Sequence, residues 1–167
     1  IDSISVMIGR NEGGGSVHWW VGYLNDSTLN FVIRVDGGSG DVICQSGQIY
    51  DKDWHYVAAV RNASTNKVYL YIDGIEANNG NYNGSGYGLV SDVPLNIGFL
   101  RRGAGENKEY PFNGIIDEVR LYGEKALSPS EVANNYYNGT KHRPACKLGN
   151  FAPLYTSTPV DTAYEDQ

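Results

Sequence analysis

Residues 54–73 constrain this chain most, because they have the pattern of two β-strands joined by a short polar loop. The first strand is predicted over 54–61 (WHYVAAVR) and the second over 67–73 (KVYLYID), where apolar residues alternate with tyrosine. Alternation with a period of two is typical of a strand that has a buried face. The dipeptide Asp73-Gly74 then predicts a tight turn, since glycine adopts positive φ without a Cβ clash. The segment is therefore predicted to be a β-hairpin.

Other short apolar segments also have the pattern of strands, and residues rich in glycine and asparagine separate them. The chain contains 21 glycines among 167 residues, and glycine-rich turns between short strands are typical of all-β proteins. Residues 29–35 (LNFVIRV) alternate, which predicts a strand with one buried face. Residues 78–88 (NNGNYNGSGYG) are predicted to be a loop, because asparagine and glycine disfavour regular structure. The remaining predicted strands cover residues 4–8, 17–24, 41–45, 95–99 and 114–122.

One helix is predicted, from Ser128 to about Tyr137. Ser128 is a capping residue, Pro129 suits the first helical position, and Glu131 follows the cap by three residues. This capping box satisfies backbone N–H groups that would otherwise be unpaired. Asn138-Gly139 predicts the end of the helix. Many short strands and one helix indicate an all-β sandwich or barrel over residues 1–139, and the proline-containing residues 140–167 are predicted to be an extended tail.

The charge and composition of the chain exclude several functional classes. The 13 basic and 19 acidic residues give a net charge of −6, which does not favour binding to nucleic acid. No apolar run approaches the roughly 20 residues that span a bilayer. Cys44 and Cys146 belong to no CxxC or Cys/His cluster, so a zinc site is not expected. Whether these two cysteines form a disulfide or remain free thiols stays open.

Three segments and their spacing resemble a known family. They are residues 54–60 (WHYVAAV), 69–74 (YLYIDG) and 112–122 (FNGIIDEVRLY), the last followed by 126–128 (ALS). This order is similar to that of the laminin-G-like domains of the concanavalin A-like lectin/glucanase superfamily. The resemblance covers roughly residues 4–137 and implies a two-sheet antiparallel jelly-roll β-sandwich with one short C-terminal helix.

The resemblance also implies which residues lie in the core. In the strand over 114–122 we expect Ile116, Val119 and Leu121 to point inward. Domains of this family normally open with two further strands, which carry F-D-G-x-x-D-Y-like and F-T-x-x-x-W-like motifs, and neither motif precedes Ile4. We therefore expect those strands to come from another part of the polypeptide or from a neighbouring molecule, since a sandwich without them would expose an unpaired edge.

We also expect some of the tryptophans, and the strand that begins near residue 54, to contribute side chains to the core. Trp54 is predicted to be a core residue, together with one of Trp19 and Trp20. Val57 and Ala59 are expected to face the core from the same strand.

An enzyme is not expected. Glucanases of the resembled superfamily carry E-x-D-x-x-E on one strand, which points two carboxylates into one cleft. This sequence contains no such pattern, and its three histidines are not placed beside a serine or cysteine in a nucleophile motif.

Two kinds of binding site are predicted. The resemblance implies a structural Ca²⁺ held by Asp117 with oxygen atoms from the N-terminal strands, and the alternative is that Asp117 only accepts hydrogen bonds from neighbouring backbone. Sugar rings stack on aromatic side chains, and asparagine side chains hydrogen-bond sugar hydroxyls. We therefore predict a carbohydrate site that consists of Asn81, Tyr82, Asn83, Tyr87 and Tyr71.

Two functions from different classes are compatible with these features. The first is a non-catalytic carbohydrate-binding or lectin-like module of a larger surface or secreted protein, with glycans as partners. The second is a structural or adhesion domain, similar to a pilin or adhesin subunit, with neighbouring protein chains as partners in a homo-oligomer or filament. Both predict an extracellular or cell-surface location. In the second case the tail could add a strand to an exposed sheet edge of its own chain or of a neighbour.

Overall fold

Strand pairing organises the chain into layers. The computed structural model describes residues 4–11, 18–24, 27–34, 41–49, 51–82, 94–101 and 108–140. Its elements are β1 (Ser5–Asn11), β2 (His18–Tyr23), β3 (Thr28–Arg34), β4 (Asp41–Gln48), β5 (Val57–Asn62), β6 (Lys67–Ile72), β7 (Ile75–Asn81), β8 (Asn96–Ile97), β9 (Leu100–Arg101), β10 (Lys108–Glu109) and α1 (Pro129–Thr140).

The strands form two sheets and a short ribbon, and neighbours are antiparallel throughout. The first sheet, sheet A, has the order β4-β3-β2-β1-β8, and the second, sheet B, has the order β5-β6-β7. Strands β9 and β10 form the two-stranded ribbon. The antiparallel sheets and the short helix confirm the predicted all-β class. The predicted tail over 141–167 and Cys146 lie outside the described residues.

The main core lies between the two sheets. Leu29, Phe31 and Ile33 alternate along β3 and face Val68 and Leu70 of β6, and each of these side chains is at most 4% exposed. Burying one such side chain stabilises the fold by roughly 1.5–3 kcal/mol. The alternation read from the sequence therefore positions sheet B against sheet A.

Strand β3 is buried on both faces, which differs from the predicted single buried face. Val32 points away from the inter-sheet core and packs with Trp20 and Leu100 in a second cluster. Leu100 belongs to the ribbon, so the ribbon covers the outer face of sheet A. The period-two pattern identified the strand, but it carried no information about this additional layer.

Helix α1 covers part of the outer face of sheet B. Val132 is fully buried and packs with Val60 of β5 and Tyr71 of β6. The predicted capping box is confirmed, since the Ser128 N–H donates to Glu131 Oε2 over 2.9 Å and the Glu131 N–H donates to Ser128 Oγ over 3.3 Å. The helix continues to Thr140, beyond its predicted end.

The prediction that Asn138-Gly139 ends the helix was wrong for a local reason. A glycine or asparagine ends a helix by adopting positive φ. Neither residue has positive φ here, so the backbone stays helical through both.

The segment over 114–122 is not a strand, which corrects the prediction. Within the described residues it pairs with no neighbour, and a strand is defined by such hydrogen bonds. Val119 and Leu121 were expected to point inward, but they are 43% and 63% exposed, while Ile116 is partly buried. The segment therefore presents apolar side chains to solvent.

Two further expectations are corrected near β5. Trp54 is 39% exposed and precedes the first strand of sheet B, so it is not a core residue. Val57 packs against the inter-sheet core as predicted, but Ala59 is exposed. Of the other tryptophans, Trp20 is buried in the second cluster and Trp19 is partly buried against the first, so each contributes to a core cluster.

Part of the predicted Asn/Gly loop belongs to a strand. Strand β7 extends to Asn81 and pairs with β6, with an irregularity between Leu70 and Tyr71. Gly80 fits the close approach of β7 to β4, because a Cβ there would lie 3.1 Å from Val42 Cγ1. Cross-strand pairing and close packing thus outweigh the low strand propensity of asparagine and glycine.

Two strand glycines provide a test of the packing in sheet A. A Cβ at Gly22 would lie 2.2 Å from the Ser5 carbonyl oxygen and 2.8 Å from Val6 Cα, whereas a Cβ at Gly47 meets nothing within 4 Å. We expect Gly22→Ala to lower the free energy of unfolding by about 1–3 kcal/mol, the usual cost of overpacking. Gly47→Ala should change it by less than about 0.5 kcal/mol. Urea denaturation measures both, and equal effects would contradict this account of β1–β2 packing.

Candidate functional site

Tyr82, one of the predicted sugar-binding residues, lies in the inter-sheet core. Its side chain is 1% exposed. Arg61 Nε donates to the Tyr82 hydroxyl over 3.2 Å, and the Arg61 guanidinium carbon lies 5.6 Å from the Tyr82 ring centroid. The ring therefore has no free face for a sugar, and the structure does not support the prediction at this position.

Tyr71 is excluded from sugar stacking for a similar reason. It is 2% exposed, because α1 places Val132 over it. The Tyr71 ring also lies beside the Tyr69 ring, and the two centroids are 6.2 Å apart. Tyr71 is therefore part of the packing between helix and sheet. Asn83 and Tyr87, two other predicted residues, lie outside the described residues.

Asn81 is exposed at the end of β7, and the sheet register identifies its neighbours. Asn81 pairs with Lys67, Asn79 pairs with Tyr69, and Glu76 pairs with the buried Tyr71. Directly paired side chains share one face of a sheet. That face is the outer face of sheet B, which α1 covers only in part. We call the exposed part the amide face, and it consists of Lys67, Tyr69, Glu76, Asn79 and Asn81.

The amide face is polar and partly pre-organised. Asn79 Nδ2 donates to Glu76 Oε1 over 2.8 Å, which orients both side chains. Glu76, Asn79 and Asn81 are exposed, and Lys67 and the Tyr69 ring are half-buried. Amide, carboxylate and ammonium groups hydrogen-bond the hydroxyls of a sugar, and an aromatic side chain stacks on the sugar ring. The amide face combines both kinds of group.

Asn78 has a different role from its neighbours. Its Nδ2 donates to the Gln45 carbonyl oxygen over 2.8 Å, and its Oδ1 accepts the Asn79 N–H over 2.8 Å. Gln45 lies in β4, an edge strand of sheet A. Asn78 therefore connects the edges of the two sheets and holds β7 in place beneath the amide face.

A histidine held between two carboxylates connects two of the family-like motifs. His55 Nδ1 lies 2.8 Å from Asp73 Oδ2, and His55 Nε2 lies 2.8 Å from Asp51 Oδ1. Asp73 also accepts the Tyr56 N–H through Oδ1 over 2.9 Å, and its own N–H donates to the Tyr56 carbonyl oxygen. We call this group the His55 clamp, and it joins the start of β5 to the β6–β7 turn.

The backbone of the β6–β7 turn explains the Asp-Gly dipeptide. Asp73 has φ of 53° and Gly74 has φ of 80°, so both central residues are left-handed. Such turns match the twist of paired strands, and aspartate and glycine are preferred in them. The predicted tight turn is confirmed.

The His55 clamp shifts the pKa values of its members. Burial lowers the pKa of His55, but the hydrogen bonds that its ring donates to the Asp73 and Asp51 carboxylates outweigh the burial, and the net pKa is raised above the usual 6.5. The hydrogen bond from His55 lowers the pKa of Asp51 below its usual value. The clamp therefore favours a protonated imidazole between ionised carboxylates.

Asp117, the residue predicted to hold Ca²⁺, lies in the segment over 114–122. Asp117 is exposed, and its Oδ1 accepts the Glu118 N–H over 2.8 Å. Across the ranges that the structure describes, no three histidine, cysteine or acidic side chains come together as metal ligands. A calcium role for Asp117 stays a prediction.

Cys44 is a free thiol in the inter-sheet core. Burial, assisted by the negative charge of Glu76, raises the pKa of the thiol to about 11. The reactive form of cysteine is the thiolate, and the raised pKa keeps Cys44 in the thiol form near neutral pH. Cys44 is therefore a packing residue.

Comparison with known proteins agrees with this architecture. The family model described as the concanavalin A-like lectin/glucanases superfamily (Laminin_G_3) matches residues 2–133, so the chain belongs to this family. No curated protein matches the sequence. None of the helical structure in the described ranges is long and apolar enough to span a bilayer.

Solved structures with a similar fold include a carbohydrate-binding module. The Ruminococcus gnavus IT-sialidase CBM40 bound to α2,3-sialyllactose has a TM-score of 0.65 and 16% identity, over 80% of this chain and 74% of that chain. A second structure of the Ruminococcus gnavus IT-sialidase CBM40 gives the same values. Bound to α2,6-sialyllactose, it has a TM-score of 0.65 and 15% identity, over 80% of this chain and 75% of that one. At this identity the likeness shows the jelly-roll fold.

The His55 clamp predicts a pH dependence of stability. A pKa that folding raises adds stability below the unfolded value of about 6.5, and this stability is lost as the pH rises through the folded value. We expect the wild-type melting temperature to fall more between pH 5.5 and pH 8.0 than that of His55→Gln. Calorimetry at both pH values measures the difference, and an equal fall in the two proteins would show that the clamp is not a protonated pair.

Proposed function

We propose that this chain is a non-catalytic carbohydrate-binding module of a larger extracellular or cell-surface protein, and that the amide face is its binding surface. The observation that carries the proposal is the row of exposed amide and carboxylate groups beside Tyr69, in a chain of a lectin-like superfamily. A sugar offers hydroxyl groups that both donate and accept hydrogen bonds. Asn79, Asn81 and Glu76 offer the complementary groups on one face.

The rigidity of this surface supports binding. Strand β7 pairs with β6 on one side, and Asn78 ties it to β4 on the other. Groups held on a paired strand lose little conformational entropy when a ligand binds, which favours affinity. The fold therefore presents the amide groups on a fixed backbone.

Several acidic groups have structural roles, which supports a binding module over an enzyme. The Asp51 and Asp73 carboxylates hold His55, and Glu131 caps α1. Glu76 is oriented by Asn79 on an open surface. The similar solved structures are described as carbohydrate-binding modules, and sialyllactose is therefore the first probe for this chain.

A structural or adhesion domain is the second candidate, and one observation favours it. Ile115 and Leu121 are 67% and 63% exposed on a segment that forms no strand. Exposed apolar side chains close together in sequence are typical of surfaces that another protein covers. Light scattering of the purified chain tests this candidate: a concentration-dependent oligomer supports it, and a monomer at all concentrations contradicts it.

The carbohydrate proposal predicts the effect of removing the amide groups. Screening on an array of neutral and sialylated oligosaccharides, including both sialyllactose isomers, should reveal binding. In titration calorimetry the double variant Asn79→Ala/Asn81→Ala should bind about fivefold to 150-fold more weakly, since two lost hydrogen bonds cost roughly 1–3 kcal/mol.

Asn113→Ala is the matched control, because Asn113 is exposed but lies outside the amide face. It should bind as the wild type does. Equal weakening in the control and the double variant, or no binding to any oligosaccharide on the array, would contradict the proposal.

A further inference from the structure

The loop between β5 and β6 carries a sequence motif that the binding function does not use. Residues 62–64 (NAS) match the pattern N-x-S/T, the sequon, in which the asparagine side chain accepts an N-linked glycan. A second sequon begins at Asn138 in α1, and two others begin at Asn25 and Asn83, which lie outside the described residues. We propose that Asn62, presented by the turn of its own loop, is an N-glycosylation site.

The Asn62 side chain is held by its loop through the carbonyl oxygen alone. Its Oδ1 accepts the Ser64 N–H over 3.1 Å, the Ser64 hydroxyl over 2.7 Å and the Thr65 N–H over 3.3 Å. The first of these bonds closes an Asx turn, in which an asparagine oxygen accepts the N–H two residues on. Among the described residues Asn62 Nδ2 has no hydrogen-bond partner. The turn therefore fixes the amide and leaves available the nitrogen that receives a glycan.

The sequon hydroxyl belongs to the same turn as the acceptor amide. The N-x-S/T pattern requires both groups, so a transferase must recognise the amide and the hydroxyl together. The hydrogen bond between Ser64 Oγ and Asn62 Oδ1 already brings them together in the folded chain. A pre-organised loop loses less conformational entropy when it binds an enzyme, which favours binding. The folded loop therefore presents the sequon as one compact unit.

The loop that carries Asn62 is open to solvent. Residues 63–66 are all exposed, and Asn62 itself is half-buried. The base of the loop is anchored, because the Tyr82 N–H donates to the Asn66 carbonyl oxygen over 3.0 Å and the Tyr82 hydroxyl donates to the Asn62 carbonyl oxygen over 3.4 Å. A glycan on Nδ2 would thus extend from an exposed loop whose backbone is held in place.

Asn138 provides a contrast within the same chain. Its side chain is also exposed, but the backbone around it is helical. Residues two positions apart on a helix do not face each other. A helical sequon therefore does not bring a hydroxyl to the amide as the β5–β6 loop does. Exposure is shared by the two asparagines, so the backbone conformation is the feature that distinguishes them.

The transfer needs one co-reactant, a lipid-pyrophosphate-linked oligosaccharide. Asn62 Nδ2 forms a bond to the anomeric carbon of the first sugar, and the bond from that carbon to the pyrophosphate oxygen breaks. The lipid pyrophosphate leaves with the electron pair of the broken bond, and Nδ2 gives one proton to a base of the transferase. Asn62 Oδ1 forms no new bond, so its three hydrogen bonds within the loop are compatible with the glycosylated chain.

The inference rests on the proposed function for its location, because N-linked glycans occur on the surface loops of secreted proteins. It does not rest on sugar binding by the amide face. Asn62 pairs with Lys67 at the loop end of sheet B, so the acceptor and the amide face are neighbours that use separate side chains. Binding to the amide face is therefore measured on the unglycosylated chain.

Transfer to the folded chain in vitro tests the proposal. The whole chain is produced in a bacterium that does not glycosylate it, and is incubated with a purified single-subunit oligosaccharyltransferase and lipid-linked oligosaccharide. Synthetic peptides that cover residues 58–68 and 134–144 are the unfolded references. Mass spectrometry of proteolytic fragments gives the initial rate at each asparagine. We expect the ratio of the Asn62 rate to the Asn138 rate to be at least about tenfold higher in the folded chain than in the peptides.

Variants at Ser64 assign the transfer to the sequon. Ser64→Thr retains the hydroxyl and should be glycosylated at Asn62 at least as fast as the wild type. Ser64→Ala loses the hydroxyl and should abolish transfer to Asn62, with no change in the rate at Asn138. Ser64 is exposed, so both variants should have the melting temperature of the wild type.

The outcomes separate this inference from the proposed function. No transfer to Asn62 of the folded chain, when the peptide over 58–68 is glycosylated, would overturn the proposal. The same rate ratio in the folded chain and in the peptides would also overturn it, because the turn would then not present the acceptor. Neither result bears on the amide face. Transfer to Asn62 of a chain that binds no oligosaccharide on the array would support the glycosylation site and contradict the amide face.

Discussion

The double burial of β3 is the constraint on which the rest of this structure depends. Its odd-numbered apolar residues pack against β6, while Val32 packs with Trp20 and Leu100 on the opposite face. A strand in this position must be covered on both sides, and here sheet B and the ribbon supply the two covers. Helix α1 adds a further layer on sheet B. The partial cover by α1 leaves the outer face of β7 open, and the amide face lies there.

The His55 clamp shows how two motifs that are separate in the sequence form one structural unit. Asp73 adopts positive φ in the turn and uses both carboxylate oxygens on the residues before β5. The histidine and the Asp-Gly turn of the family-like pattern therefore have a structural explanation, which is to join the start of β5 to the β6–β7 turn. This explanation requires no catalytic role for His55.

The sequence predicted local structure well where the signal was local. The Ser128–Glu131 capping box and the Asp73-Gly74 turn depend on neighbouring residues alone, and both are confirmed. Predictions about exposure were less successful, because alternation shows that two faces differ but not what covers each face. Tyr71 alternates like a solvent-facing residue, yet α1 buries it, and Trp54 is exposed although its segment was predicted to begin in the core.

The candidate site followed a similar pattern. Asn81 was predicted from composition, whereas Asn79 was missed because residues 78–88 were interpreted as a loop, and Glu76 and Tyr69 were not assigned to the site. The signal that could have found them is the tight turn at Asp73-Gly74, which places the following residues beside β6 in a fixed register. The remaining predicted residues Asn83 and Tyr87 lie outside the described ranges and stay a prediction.

The central claim is that the outer face of sheet B, and not sheet A, binds sugar. Hydrogen exchange followed by mass spectrometry tests it most directly, with and without a saturating amount of the tightest-binding oligosaccharide from the array. The account predicts slower exchange in peptides that cover residues 67–82, with unchanged exchange in β1 to β3. Slower exchange confined to β1–β4 would contradict the claim, because binding would then occur on sheet A.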